Sequence, residues 1–109
     1  MNKYEYIIIG FGKGGKTLAG YLGKLGKKVA IIEKSDKMYG GTCINVGCIP
    51  TKTLVHKAKV SLYKGLNTFE EKARAYRKSI EEKNALIEAL RNKNYNMLNN
   101  NENVDVFNG

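Results

Sequence analysis

The chain has 109 residues, 42% of them hydrophobic and 27% charged, which allows one globular domain with a real core. No apolar run approaches the ~20 residues that a membrane-spanning helix needs, and no signal peptide is recognisable at the start, so we expect a cytoplasmic protein. The net charge of +9 would suit nucleic acid, but the basic residues concentrate on predicted helices with interleaved acids, which favours solvated helix surfaces and neither a nucleic-acid nor a membrane partner.

A βαβ unit is predicted over the first third of the chain. Residues 4–9 are β-branched and aromatic and end at Gly10, which predicts a buried strand running into a glycine turn. An amphipathic helix is predicted over 14–25, with Gly26 as its C-terminal cap. A second strand ends at Glu33. Strand, turn, helix and strand within about 30 residues imply a parallel pair of strands with a right-handed crossover.

Helices dominate the rest of the sequence. Residues 35–42 form a loop by composition, and helices are predicted over 51–63 and 69–98. A short strand follows at 104–107. The predicted fold class is therefore α/β, a Rossmann-like segment with a parallel sheet and an incomplete domain, followed by long helices.

The stretch GFGKGGKT, which begins at Gly10, matches two phosphate-binding patterns. Read as G-x-G-x-x-G, it is a dinucleotide-binding turn made by Gly10, Gly12 and Gly15. Read as G-x-x-x-x-G-K-[ST], it is a Walker A loop of a nucleoside triphosphatase, in which Lys16 and Thr17 bind phosphate and magnesium. The two patterns predict different partner residues further along the chain.

The partner residues favour the dinucleotide. A Walker A loop needs an Asp at the end of a later strand, but the next strand ends in Glu33, and Asp105 lies inside a weak strand. A dinucleotide loop needs an acidic residue about 20 positions on, at the end of the second strand, and Glu33 occupies that position. Lys16 and Thr17 then become ordinary helix residues. The triphosphatase and a glycine-rich turn without a ligand remain as alternatives.

The two cysteines of the chain, Cys43 and Cys48, lie in the stretch GGTCINVGCIPTK. In a cytoplasmic protein such a close pair is typical of redox or metal chemistry. A zinc site would need two further ligands, and the chain contains a single histidine, so we expect no metal. A disulfide between positions five apart requires an irregular backbone, which Gly47 permits.

A helix is predicted to start close to Cys48, because Pro50 suits a first helical turn and would break a helix interior. The positive end of that helix, together with Lys52, should favour a thiolate at Cys48. A cysteine of this kind is a good leaving group and a potential charge donor to a flavin.

Together, the glycine loop, Glu33 and the cysteine motif resemble the N-terminal FAD-binding segment of class I pyridine nucleotide-disulfide oxidoreductases. That family includes glutathione reductase, dihydrolipoamide dehydrogenase and mercuric reductase. The C-x4-C motif is highly specific, and the detailed resemblance covers residues 4–56. The residues around the motifs are most similar to a bacterial branch associated with resistance to reactive chlorine species, the hypothiocyanous acid reductases, with mercuric reductase and dihydrolipoamide dehydrogenase as alternatives.

The resemblance implies a role for each matching residue. Cys43 would be the interchange thiol that attacks substrate, and Cys48 the charge-transfer thiol against the flavin. Lys52 would lie near the flavin N5 and stabilise its reduced form, and Glu33 would bind the adenosine ribose. The residues implied to line the FAD pyrophosphate or lie along the cofactor are Gly10, Gly12, Gly14, Gly15, Gly41 and Thr42. Electrons would pass from NAD(P)H to FAD, then to the Cys43–Cys48 disulfide, and then to a small oxidant or disulfide substrate.

Members of that family are several times longer than this chain. The resemblance therefore implies that residues 1–109 are the N-terminal part of an FAD-binding domain, truncated before the NAD(P) and dimerisation domains. In the family the dimerisation domain supplies a His–Glu pair across a homodimer, whereas His56 is expected to be a surface or packing residue. We expect an enzyme in the parent protein and no turnover by this fragment alone. A non-catalytic nucleotide-binding module is the alternative.

Overall fold

A computed structural model describes residues 3–109, and within that range the elements follow the predicted order. Three parallel strands form one sheet with β2 in the centre: β1 (Tyr6–Ile9), β2 (Val29–Glu33) and β3 (Val104–Asn108). The connecting helices are α1 (Lys13–Lys24) between β1 and β2, then α2 (Thr42–Asn45), α3 (Cys48–Tyr63) and α4 (Phe69–Asn99) between β2 and β3. The predicted α/β fold with a parallel Rossmann-like sheet is confirmed.

The C-terminal end of α1 makes a tight turn into β2. Gly26 has a φ of +78°, and its N–H donates to the carbonyl of Gly23 at 3.1 Å while Lys27 donates to Leu22 at 3.0 Å. These two bonds form a Schellman motif, which ends the helix and turns the chain back into β2. The predicted cap at Gly26 is therefore confirmed.

The core lies between one face of the sheet and helices α1 and α4. Alternate residues of β2 and β3 point towards the helices because side chains alternate along a strand. The buried members of this core include Ala19, Leu22, Val29, Ile31, Leu98 and Val104.

The strand predicted as buried at residues 4–9 is instead an exposed edge of the sheet, and that prediction was wrong. Ile7 is 64% and Ile9 86% exposed, and Ile8 packs against the core. β1 pairs with β2 alone. A β-branched run indicates a strand, but it does not show whether both faces of that strand are covered.

The long helix α4 has two halves with different neighbours. A capping box starts it, because Thr68 Oγ1 accepts from Glu71 N at 3.1 Å and the Glu71 carboxylate accepts from Thr68 N at 3.2 Å. The first half packs along α3, where Lys57 and Glu82 form an ion pair. The second half reaches the core through Leu98. The helical hairpin accounts for a longest dimension of 62 Å.

None of the helices within residues 3–109 has the length and apolar character needed to cross a bilayer.

Candidate functional site

The glycine loop connects β1 to α1, and two of its glycines are required by the fold itself. Gly10 has a φ of +102°, a region that residues with a side chain rarely adopt. A Cβ on Gly15 would lie 2.2 Å from the carbonyl oxygen of Gly10 and 3.2 Å from Cγ2 of Ile8. The start of α1 therefore packs directly on the end of β1, as the third glycine of a dinucleotide loop should allow.

The other two glycines of the loop are not explained by packing. Neither Gly12 nor Gly14 has a positive φ. A Cβ on either residue would meet no heavy atom of the described residues within 4 Å. Gly14 lies in the first turn of α1. Open space at these positions leaves the N–H groups at the start of α1 accessible to an anion.

Glu33 lies at the carboxyl end of β2, beside the glycine loop. Its Oε2 accepts a hydrogen bond from Phe11 N at 2.9 Å, and its Oε1 accepts from Ser35 N at 3.1 Å. Each carboxylate oxygen keeps a further lone-pair direction, so the group remains able to accept from ribose hydroxyls. This is the place predicted for it, and its role stays a prediction.

The glycine loop and the cysteine motif are in direct contact. Gly40 N donates to the carbonyl of Phe11 at 2.9 Å, and the Phe11 and Tyr39 rings pack with centroids 5.1 Å apart. A Cβ on Gly41 would lie only 2.8 Å from Cα of Gly12. Two motifs that are separate in the sequence therefore form one surface.

The two cysteines lie at the ends of neighbouring helices. Cys43 is in the one-turn helix α2, and Cys48 is the first residue of α3, so the predicted helix start is confirmed. Both are exposed free thiols, and Cys48 affects the pKa of the Cys43 thiol. Thr42 opens α2, and Lys52 lies one turn into α3.

Electrostatics at Cys43 are set mainly by its partner thiol. The hydrogen bond with Cys48 raises the pKa of the Cys43 thiol, and partial desolvation and the charge of Cys48 add to the rise. The positive charges of Lys13 and Lys52 act in the opposite direction and lower it.

Replacing Cys48 with alanine should lower the pKa of Cys43, because the hydrogen bond that raises it is lost and both lysines remain. The pH at which Cys43 is half-maximally alkylated by iodoacetamide should therefore move down. Lys59→Met, which removes an exposed charge from the same helix, should leave that midpoint unchanged. A midpoint in Cys48→Ala equal to that of the unmodified chain would contradict this assignment.

Lys13 and Phe11 are the residues at this site that the sequence analysis did not single out. Phe11 is fully buried and contacts both Glu33 and the cysteine loop. A large apolar residue between the first two glycines was a visible signal for Phe11. Only the fold shows that the charge of Lys13 acts on Cys43, since the two residues lie 30 positions apart in the numbering.

The lysine and threonine of the Walker A pattern are used within the fold. Lys16 Nζ donates to Oδ1 of Asn94, a buried residue of α4, and Thr17 Oγ1 donates to the carbonyl of Lys13 at 2.6 Å. Both therefore act as helix residues, as the dinucleotide interpretation expects.

Other features of the molecule do not bring several candidate functional residues together in this way. An apolar groove of about 580 Å³ lies between α3 and α4, with Leu54, Ala58 and Ala75 among its lining residues. His56 is exposed on α3. Within the described range 3–109, no three His, Cys, Asp or Glu side chains are grouped as a metal site requires.

Comparison with known proteins gives one family. The sequence profile of the family described as pyridine nucleotide-disulphide oxidoreductase matches residues 4–109. The chain is 50% identical over 109 residues to a probable pyridine nucleotide-disulfide oxidoreductase, RclA, of Escherichia coli K12, covering 100% of this chain and 22% of that protein. A dihydrolipoyl dehydrogenase of Acholeplasma laidlawii is 39% identical over 113 residues, covering 98% of this chain and 33% of that protein.

A solved structure extends the comparison to the fold. The Cu(II) complex of the HOCl-induced flavoprotein disulfide reductase RclA from Escherichia coli matches with a TM-score of 0.84 and 51% identity, over 100% of this chain and 22% of that one. The resemblance to the reactive-chlorine branch is thereby confirmed, and so is a flavin as the class of cofactor in that relative. The chain spans less than a quarter of the length of the E. coli relative.

Proposed function

Because the chain belongs to the pyridine nucleotide-disulphide oxidoreductase family, we propose that it forms the FAD-binding, disulfide-bearing part of a flavin-dependent disulfide oxidoreductase. One observation carries the proposal: the glycine loop and the cysteine motif meet at Phe11, Gly12 and Gly41. A cofactor on that loop would lie next to the two thiols.

The residues present fit FAD. Gly12 and Gly14 leave space beside the first turn of α1, which begins Lys13-Gly14-Gly15-Lys16 and so carries no carboxylate to occupy its N–H groups. We assign the pyrophosphate to Gly10, Gly12, Gly14 and Gly15, and the adenosine ribose to Glu33. Gly41, Thr42 and Lys52 would lie along the rest of the cofactor.

The chemistry of this chain lies in its thiol pair. Bound FAD would supply two electrons derived from NAD(P)H, and with two protons these would reduce a Cys43–Cys48 disulfide to two thiols. The Cys43 thiolate then attacks a small disulfide and forms a mixed disulfide, releasing one substrate thiol. Cys48 attacks the mixed disulfide, releases the second thiol and restores the Cys43–Cys48 bond. A small oxidant would consume the same two electrons and two protons.

The raised pKa of Cys43 means that its attack on substrate needs a base. His56 lies eight residues after Cys48 on α3, about 12 Å from it along the helix axis, and we do not propose it as that base. We therefore propose that the chain alone does not turn over with NAD(P)H and that the longer parent protein, a cytoplasmic homodimer, completes the site. The proposed substrate is a small oxidant or disulfide, with neither nucleic acid nor membrane as partner.

An absorption experiment tests the proposal. Purified chain should take up added FAD, and two-electron reduction should produce a long-wavelength shoulder from a thiolate beside the flavin. Cys43→Ser leaves Cys48 without a disulfide partner, so this variant should show the shoulder in the oxidised protein before any reduction, and Cys48→Ser should show none in either state. Absence of FAD binding would favour a non-catalytic module, and NAD(P)H turnover by the chain alone would contradict the proposed inactivity.

Replacing Gly12 with alanine should lower FAD affinity with little effect on folding. The new methyl group enters open space in the protein but occupies the path of the pyrophosphate, so we expect Kd to rise at least about tenfold, or ~1.4 kcal/mol. Gly20→Ala is the matched control, since its Cβ would contact Leu98 at an ordinary 3.6 Å. Fluorescence titration of FAD measures the affinity; equal Kd values in the two variants would contradict the pyrophosphate assignment.

A further inference from the structure

The side chains of Asn45 and Arg91 link the middle of the cysteine loop to α4, and we call this pair the bracket. Asn45 lies between the two cysteines in the sequence, and its Nδ2 donates to the carbonyls of Gly41 at 2.8 Å and Tyr39 at 3.0 Å. Its Oδ1 accepts from Nε of Arg91 at 2.9 Å. One side chain thus uses both ends of its amide, one on the backbone that leads into Cys43 and the other on a distant helix.

The orientation of that amide is dictated by its partners. Carbonyl oxygens accept hydrogen bonds and a guanidinium only donates, so the NH₂ group of Asn45 must face the loop and its oxygen must face Arg91. A bond to a charged donor is stronger than a neutral one and polarises the amide towards the two carbonyls. Arg91 therefore strengthens the hold of Asn45 on the loop.

Arg91 is a fixed anchor because α4 is itself fastened beside it. Asn94 lies three residues further along the same face of α4, is 6% exposed and accepts from Lys16 of α1. Asn94 Nδ2 also donates to the carbonyl of Leu90 at 2.7 Å. One face of α4 thus contacts both the helix that follows the glycine loop and the loop that carries Cys43.

The backbone hydrogen bonds within residues 42–47 are local, and Asn45 N donates to the carbonyl of Gly41 at 3.2 Å. Val46 and Gly47 donate to the carbonyl of Thr42 at 2.9 and 2.8 Å, which closes a single turn. A one-turn helix is marginal by itself, since the first hydrogen-bonded turn fixes several residues for little gain. The bracket adds a link from this turn to α4, beside the contacts that residues 39–41 make with the glycine loop.

We propose that Asn45 and Arg91 are positioning residues that hold Cys43 near Cys48 and thereby set the stability of a disulfide between them. This inference rests on the proposed function, because it assigns a redox role to the thiol pair. Restraining two thiols near each other raises their effective concentration and favours the disulfide over the dithiol. Loosening the bracket therefore makes the disulfide easier to reduce.

The test is the thiol–disulfide equilibrium of the full chain with glutathione. The two chain thiols lose two electrons and two protons to glutathione disulfide, which becomes two molecules of glutathione. Alkylation followed by mass spectrometry gives the fraction oxidised. We expect Arg91→Met to lower the equilibrium constant for disulfide formation about tenfold, which corresponds to ~30 mV. Arg91→Lys, which keeps a cationic donor, should recover most of the loss.

Two further variants make the result specific. Lys93→Met removes an exposed charge two residues away on the same helix and should leave the constant unchanged. Asn45→Asp keeps the size of the side chain but places an acceptor against the two carbonyls, so it should lower the constant as Arg91→Met does. If Arg91→Met does not fold, as shown by loss of its far-UV circular dichroism, the equilibrium constant of Asn45→Asp tests the proposal in its place.

The outcomes separate the two proposals. Equal constants in the folded Arg91, Asn45 and Lys93 variants would overturn the positioning role alone. An unmodified chain that forms no intramolecular disulfide at any glutathione ratio would overturn the proposed redox function, and the positioning role with it.

Discussion

Replacing Gly15 with alanine should destabilise the fold more than any other single methyl addition in the glycine loop. The Cβ would lie 2.2 Å from the carbonyl oxygen of Gly10, a backbone atom that cannot swing away as a side chain would. Relief requires α1 to move off β1, and this opens the βαβ unit around which the core is built. We expect a loss of about 3 kcal/mol or more in the free energy of unfolding, and a Tm lower by more than about 10 °C.

Gly20→Ala, in the same helix, is the matched control for Gly15→Ala. Its Cβ would meet Cδ2 of Leu98 at 3.6 Å, an ordinary contact, and alanine favours helix over glycine by up to about 1 kcal/mol. The control should melt at or above the temperature of the unmodified chain. Thermal unfolding followed by circular dichroism compares them, and a Gly15→Ala chain as stable as Gly20→Ala would show that α1 does not depend on close packing there.

Replacing Gly41 with alanine should separate the two loops of the candidate site. Gly41 has φ +83° and ψ −170°, a backbone region that only glycine commonly adopts. In addition, its Cβ would lie 2.8 Å from Cα of Gly12. We expect a loss of about 3 kcal/mol in unfolding free energy from strain and crowding together. Cys43 should also react faster with iodoacetamide, because the loop that holds it beside Cys48 is displaced.

Gly65→Ala separates backbone strain from contact between the loops. Gly65 also has a positive φ, +65°, but its Cβ would meet nothing within 4 Å. We expect this control to cost about 1 kcal/mol and to leave Cys43 reactivity unchanged. If Gly65→Ala and Gly41→Ala cost the same, the packing of Gly41 on Gly12 contributes nothing measurable.

Local signals account for the part of the fold that the sequence predicts well. The β-branched runs, the glycine turn and the cap at Gly26 act over a few residues each, so β1, α1 and β2 could be placed within one or two positions. The start of α3 followed from Pro50 for the same reason. The position of Glu33 beside the loop then followed from the βαβ geometry.

Contacts between distant segments could not be predicted in the same way. The Arg91–Asn45 bond spans 46 positions and the Lys16–Asn94 bond spans 78. No local sequence pattern indicates either contact. The exposure of Ile7 and Ile9 likewise depends on which elements cover the sheet, which composition does not determine. The lowering of the Cys43 pKa by the charge of Lys13 arises only when the glycine loop and the cysteine loop lie together, so the sequence did not indicate it.

The order of strands in the sheet has a consequence for the kinetics of folding. β2 pairs with β1 across one short helix, but it pairs with β3 only after an excursion that contains α2, α3 and α4. Closing the longer excursion costs more chain entropy, so we expect the βαβ unit to assemble early and the β2–β3 pairing late. Until α4 docks, the Arg91–Asn45 bond is absent and the two cysteines are free to exchange with the disulfides of other molecules. A nascent chain is therefore most vulnerable to misoxidation in the interval between these two steps.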